Sequence, residues 1–110
     1  MKVVQSAAVS EGIKLTILDE QSRVVGRAFL YILHNDLHEQ PFGLLEDVFV
    51  EEVARGQGLG SDLVRRVIEL AKKSGCYKLV ATSRYSRDKV HKLYRQLGFI
   101  DHGREFRTDF

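Results

Sequence analysis

Three glycines at alternate positions mark the segment Arg55-Gly56-Gln57-Gly58-Leu59-Gly60-Ser61. Glycine lets a backbone turn tightly and come close to a ligand. An amphipathic pattern begins at once after it, so the segment is the entry to a helix. The first N–H groups of a helix have no partner within it, and the helix dipole favours negative charge there. A pyrophosphate suits such a place. The spacing does not satisfy G-x-G-x-x-G, and no Gly-Lys-Ser/Thr comes next, so neither a dinucleotide fold nor a nucleoside-triphosphate loop is supported. Just upstream, Glu46 and Asp47 stand where a strand would carry apolar residues. Adjacent strand residues point to opposite faces, so the two carboxylates form a pair only if a bulge intervenes. His34 and His38 have no further His or Cys grouped near them, which argues against a metal site. Cys76 is expected to be a small buried hydrophobe.

These groups need a frame, and the hydrophobic pattern supplies one. Ile13, Leu15 and Ile17 alternate with Lys14, Thr16 and Leu18, the period of a half-buried strand. The polar turn Asp19–Arg23 leads into Val24–Leu33, giving a hairpin. A loop over 34–43 carries Asn35, Asp36, Pro41 and Gly43, and Leu44–Val50 is a third strand. From Leu59 the apolar residues Leu63, Val67, Leu70 and Ala71 recur at helical spacing, and Gly75 ends that helix. Tyr77–Thr82 is a further strand. A second helix runs over about 88–97, stopped by Gly98, and Arg104–Phe110 is expected as a last strand.

With 110 residues, 44% hydrophobic and 29% charged, the chain has the composition of a single globular domain covering 1–110 and not of a disordered segment. No apolar run reaches the roughly 18 residues that cross a bilayer, and residues 1–6 do not form a secretion signal. One cysteine makes no internal disulfide. A soluble, cytoplasmic protein is expected, without membrane partners. The net charge of +2 is too small for a nucleic-acid binder, yet it is unevenly spread. Residues 1–53 carry four Lys/Arg against nine Asp/Glu, and residues 54–110 carry thirteen against six. The second half therefore offers either a basic surface for an anionic ligand or solvated helix faces.

Arg55-x-x-Gly58-x-Gly60 after a strand ending in Val50, and Leu93-Tyr94-x-x-x-Gly98-Phe99 on the second helix, resemble the two signatures of the GNAT superfamily of acyl-CoA N-acetyltransferases. Within it, Glu46-Asp47-Val48-x-Val50, the glycine loop and Gly75-Cys76-Tyr77-Lys78 are similar to glucosamine-6-phosphate N-acetyltransferases. The resemblance covers residues from about 13 to 110. It implies an α/β (α+β) fold, a mixed, mostly antiparallel twisted sheet flanked by helices. The two helices usual at the start of that fold are missing, since only residues 1–12 precede the first clear strand.

It further implies an enzyme that uses acetyl-CoA as co-substrate, with no metal, and acetylates a small amine. The backbone of Val48, Phe49 and Val50 would bind the pantetheine arm and polarise the thioester carbonyl. The N–H groups of Arg55, Gly56, Gln57, Gly58, Leu59, Gly60 and Ser61 would hold the pyrophosphate. Arg95, among the cations Arg84, Arg87, Lys89 and Lys92, would meet the adenosine 3′-phosphate. Tyr94 is the candidate general acid, because a phenol with a pKa of about 10 matches a departing thiolate; the same spacing also suits a core tyrosine. Glu46 is the second catalytic candidate, and Glu46, Asp47, Arg104 and Arg107 are candidates for binding the acceptor. An acceptor side lacking two helices would be completed by a homodimer paired through the last strands. Two other readings stay open: an acyl-CoA-binding module without catalysis, and a peptide or protein N-acetyltransferase.

Overall fold

The computed structural model describes residues 1–110. Ser10–Leu18 (β1) and Val24–Leu33 (β2) pair antiparallel, and β2 pairs antiparallel with Phe42–Val50 (β3). A single 3-10 turn, Glu52–Ala54, leads to the helix Leu59–Lys73 (α1). The strand Leu79–Ala81 (β4) then runs parallel to β3, and the helix Asp88–Gln96 (α2) comes last. The sheet order is β1-β2-β3-β4.

Local chemistry explains each joint. The β1–β2 turn closes on Asp19, whose carboxylate accepts hydrogen bonds from the N–H groups of Gln21 and Arg23, both at 2.9 Å. A short acidic side chain that ties its own backbone favours such a turn. Both helices end in the same way. At the end of α1, the Gly75 N–H donates to the Lys72 carbonyl and the Cys76 N–H to the Ala71 carbonyl, each at 3.0 Å. At the end of α2, Gly98 donates to Arg95 at 3.1 Å and Phe99 to Tyr94 at 3.0 Å. Gly75 and Gly98 both adopt the positive φ that this double closure requires, at 81° and 99°.

The core lies between the sheet and α1. Ala28, Leu30 and Ile32 of β2 and Leu45 of β3 meet Leu63, Val64, Val67 and Ala71 of α1, all buried. The larger of these side chains stabilise the fold by about 1.5–3 kcal/mol each when fully buried. The helix α2 has no fully buried residue, although Tyr94, Leu97 and Phe99 pack against this core. No helix is long and apolar enough to cross a membrane.

One expectation fails. Residues 101–110 form no strand and stay exposed, so the sheet has four strands and its last is only three residues long. The segment finds no strand to pair with: Phe106 is 88% exposed, and Arg107 turns back on Asp109 at 2.7 Å. The strand 104–110 expected to pair between two copies is thus absent from the single chain. Residues 1–9 also have no regular structure. The projecting ends raise the radius of gyration to 16.0 Å, against about 13 Å for a compact chain of this length.

Leu30→Ala is expected to lower unfolding stability by about 2–5 kcal/mol in urea titrations. Removing residues 101–110 should change it by less than about 0.5 kcal/mol.

Candidate active site

The strands β3 and β4 share a ladder for only three steps, Gly43↔Leu79, Leu44↔Val80 and Leu45↔Ala81. Beyond Leu45, β3 continues to Val50 with β2 on one side and no strand on the other. The backbone of Glu46–Val50 therefore borders an open cleft. Val48, Phe49 and Val50 are all half-buried.

At the Val50 end of this cleft stands the start of α1. A Cβ placed on Gly60 would lie 4.0 Å from the Val50 side chain. Gly56 and Gly58 have φ of 81° and 76°, a left-handed backbone that explains glycine at both. The Asp62 N–H closes the first turn on the Gly58 carbonyl at 3.0 Å, while the N–H groups of Gly56 through Ser61 have no partner in the chain. Six consecutive free donors at a helix start are a ready cradle for phosphate oxygens. Arg55 differs from the expectation at both its ends. Its N–H donates to the Glu52 carbonyl at 3.2 Å, and its Nε donates to the Val50 carbonyl at 2.9 Å, bracing the end of β3.

At the Glu46 end stands Tyr94. Burial pushes its phenol above the ordinary value, the Arg87 guanidinium pulls it down and the Glu46 carboxylate raises it. Both charges therefore act on the phenol through space. The hydroxyl makes no hydrogen bond within the chain, yet no buried polar side-chain atom lacks a partner, so this oxygen reaches solvent. Its ring leans on Phe99 at 5.2 Å, the apolar contact that goes with the glycine closure of α2.

A bulge begins just after Glu46 and contains Asp47, so it does not come between the two carboxylates. Opposite Ala28 of β2, β3 places both Asp47 and Val48. The Asp47 carboxylate is taken by Arg27, with Nε–Oδ2 at 2.7 Å and Nη2–Oδ1 at 3.1 Å. The hydrogen bonds and charge of Arg27, with Lys14 adding a smaller attraction, hold this carboxyl below the usual range. Asp47 is thus engaged within the sheet, which leaves Glu46 as the carboxylate beside Tyr94.

The other candidates make contacts of their own. Arg95 is exposed, 3.8 Å from Asp101. Arg104 and Arg107 belong to the exposed final segment, outside the sheet and helices. Burial pushes the Cys76 thiol up, which disfavours a thiolate at neutral pH. His38 rests against Tyr77 with ring centroids 4.1 Å apart, and no three His, Cys, Asp or Glu side chains gather as metal ligands. Arg27 is a site residue that sequence reasoning misses. Its one sequence signal is a cation on the strand that pairs with Glu46-Asp47, and using it needs the register.

The model of the acetyltransferase (GNAT) family matches residues 6–99. The chain belongs to the GNAT family. This GNAT chain is 34% identical over 84 residues to a probable glucosamine 6-phosphate N-acetyltransferase 2 of Oryza sativa subsp. japonica, covering 76% of this chain and 49% of that protein. It is 36% identical over 88 residues to the glucosamine 6-phosphate N-acetyltransferase of Trypanosoma brucei brucei, covering 79% and 58%. The chain thus spans about half the length of these relatives. Among solved structures, an acetyltransferase of Trypanosoma brucei superposes with a TM-score of 0.81 at 31% identity, over 90% of this chain and 69% of that one. Glucosamine-6-phosphate N-acetyltransferase from Arabidopsis thaliana, at 23% identity, shares the fold with a TM-score of 0.80, over 90% and 67%.

The Tyr94 phenol should titrate above its ordinary pKa of about 10, read by ultraviolet absorbance or by NMR of labelled tyrosine. Glu46→Gln removes a negative neighbour and should lower that midpoint, whereas Arg87→Gln should raise it. The raised phenol also implies that the stability it contributes is present below the unfolded-state pKa only as a neutral, buried group. The sign is that of a paired cation, because in both cases the folded state favours the protonated form, here since burial disfavours the phenolate. Unfolding therefore becomes easier as pH climbs from the unfolded-state value through the folded one.

Proposed function

We propose that this domain transfers an acetyl group from acetyl-CoA to the primary amine of a small acceptor by direct attack with both bound. One observation carries the reading. The free stretch of β3 runs from Glu46, beside Tyr94, to Val50, beside the six free N–H groups at the start of α1. A row of unpaired backbone groups suits the amides of a pantetheine arm, and the cradle suits its diphosphate. Acetyl-CoA supplies the activated acyl group as its thioester.

The chain's own residues take the remaining tasks. The backbone of Val48–Val50 holds the arm and donates toward the acyl oxygen, where negative charge develops. The donors of Gly56–Ser61 hold the phosphates, and Arg95 meets the 3′-phosphate. Tyr94 gives its proton to the departing sulfur, as a phenol that is neutral at neutral pH can. Glu46 faces the acceptor and receives the amine's proton through water. The names of the relatives and the basic second half support a phosphorylated amino sugar as the acceptor.

Thiol release from acetyl-CoA is expected with glucosamine 6-phosphate and not with peptides. Acetyl-CoA binding with no thiol release on any amine would leave a binding module. In single-turnover assays Tyr94→Phe should lose ~10²-fold in rate while keeping acetyl-CoA affinity. For the cradle, Gly58 is a poor test site because its left-handed backbone strains any branched residue. Gly60→Asp keeps the helix, whose first turn favours acids, and should weaken CoA binding at least about tenfold by charge repulsion.

A further inference from the structure

Asp47 has a φ of 51°, the only non-glycine residue of the sheet in the left-handed region. Such backbone is unfavourable for a residue with a side chain, persists only where its surroundings hold it, and gathers at functional sites. It lies at the bulge of β3, two residues past Leu45, the last with a β4 partner. The strain therefore sits where the strand leaves its neighbour and the cleft begins.

One side chain grips both sides of this bulge. Arg27 donates twice to the Asp47 carboxylate, at 2.7 and 3.1 Å, and its guanidinium lies 4.8 Å from the centre of the Phe49 ring. Arg27 and Phe49 face each other across the two strands. Both members of the ion pair are roughly half exposed, with side chains 39% and 50% accessible. A pair in that setting adds little to stability, but a two-pronged guanidinium–carboxylate contact fixes geometry.

We propose that Arg27 and Asp47 are positioning residues for acetyl transfer: their pair sets the left-handed bulge and so aims the Val48–Val50 backbone into the cleft. The inference rests on the acetyl-CoA reading above. It gives Asp47 a role through the backbone in place of one toward the acceptor.

A double-mutant cycle tests it, because glycine at position 47 adopts positive φ without being gripped. In the Asp47 chain, Arg27→Gln should weaken CoA affinity by calorimetry about tenfold and lower kcat with little change in the KM for the acceptor. Arg27→Lys, which lacks the fork, should do the same. In the Asp47→Gly chain, Arg27→Gln should change CoA affinity and kcat by less than about twofold. Equal losses in both backgrounds, or unchanged CoA affinity on losing Arg27 from the Asp47 chain, overturn the proposal even if thermal stability drops. Wild-type protein that binds no CoA overturns the acetyl-CoA reading, and this proposal with it.

Discussion

The parting of β3 from β4 is the constraint on which the rest depends. Backbone N–H and C=O groups in a sheet require partners, and β3 has them on its β2 side along its whole length. On the other side the ladder stops at Leu45, because β4 is only three residues long. From Glu46 to Val50 the chain is a strand edge within the molecule, bracketed by the first turn of α1 and by Tyr94. A ligand that offers strand-like amides would complete the sheet there, with its anionic end at the helix start. The site is therefore made mostly of main chain, and a few side chains tune it.

Much of this frame is readable from residue order. The alternation of Ile13, Leu15 and Ile17, the helical spacing from Leu59 to Ala71 and the closing glycines Gly75 and Gly98 are local signals, and each element forms close to its expected bounds. The glycine loop and Tyr94 are also visible, because their chemistry is written in consecutive residues. The last strand is a different case. Arg104–Phe110 has a plausible strand composition, but a strand forms only where a neighbour can pair with it, and no local pattern reports that neighbour. The fate of Asp47 is hidden for a related reason. Whether a carboxylate faces an acceptor or an arginine twenty residues earlier depends on register and on one bulge, which alternation alone does not reveal.

The second signature of the family has two physical parts. Gly98 and Phe99 do not reach toward a ligand; they close α2, and Phe99 presses on the ring of Tyr94. Tyr94 is thus held by the capping geometry of its own helix, with Glu46 and Arg87 biasing its proton in opposite directions. A fixed ring with a solvent-reaching hydroxyl would suit the proposed role of Tyr94 as proton donor.

Of the two α-helices, α1 alone has fully buried residues, and the same helix starts at the free N–H groups proposed to hold phosphate. Cohesion and recognition therefore share one element. Opening α1 exposes the core and dissolves the cradle together, so no partly unfolded form can lose the helix and keep the ligand. By mass action, a ligand held there at a hundred times its dissociation constant stabilises the domain by about 2.7 kcal/mol. For a chain whose core is this small, such an increment is a sizeable share of the free energy that holds it folded. A ligand held at that helix start would accordingly lengthen the time the domain stays folded.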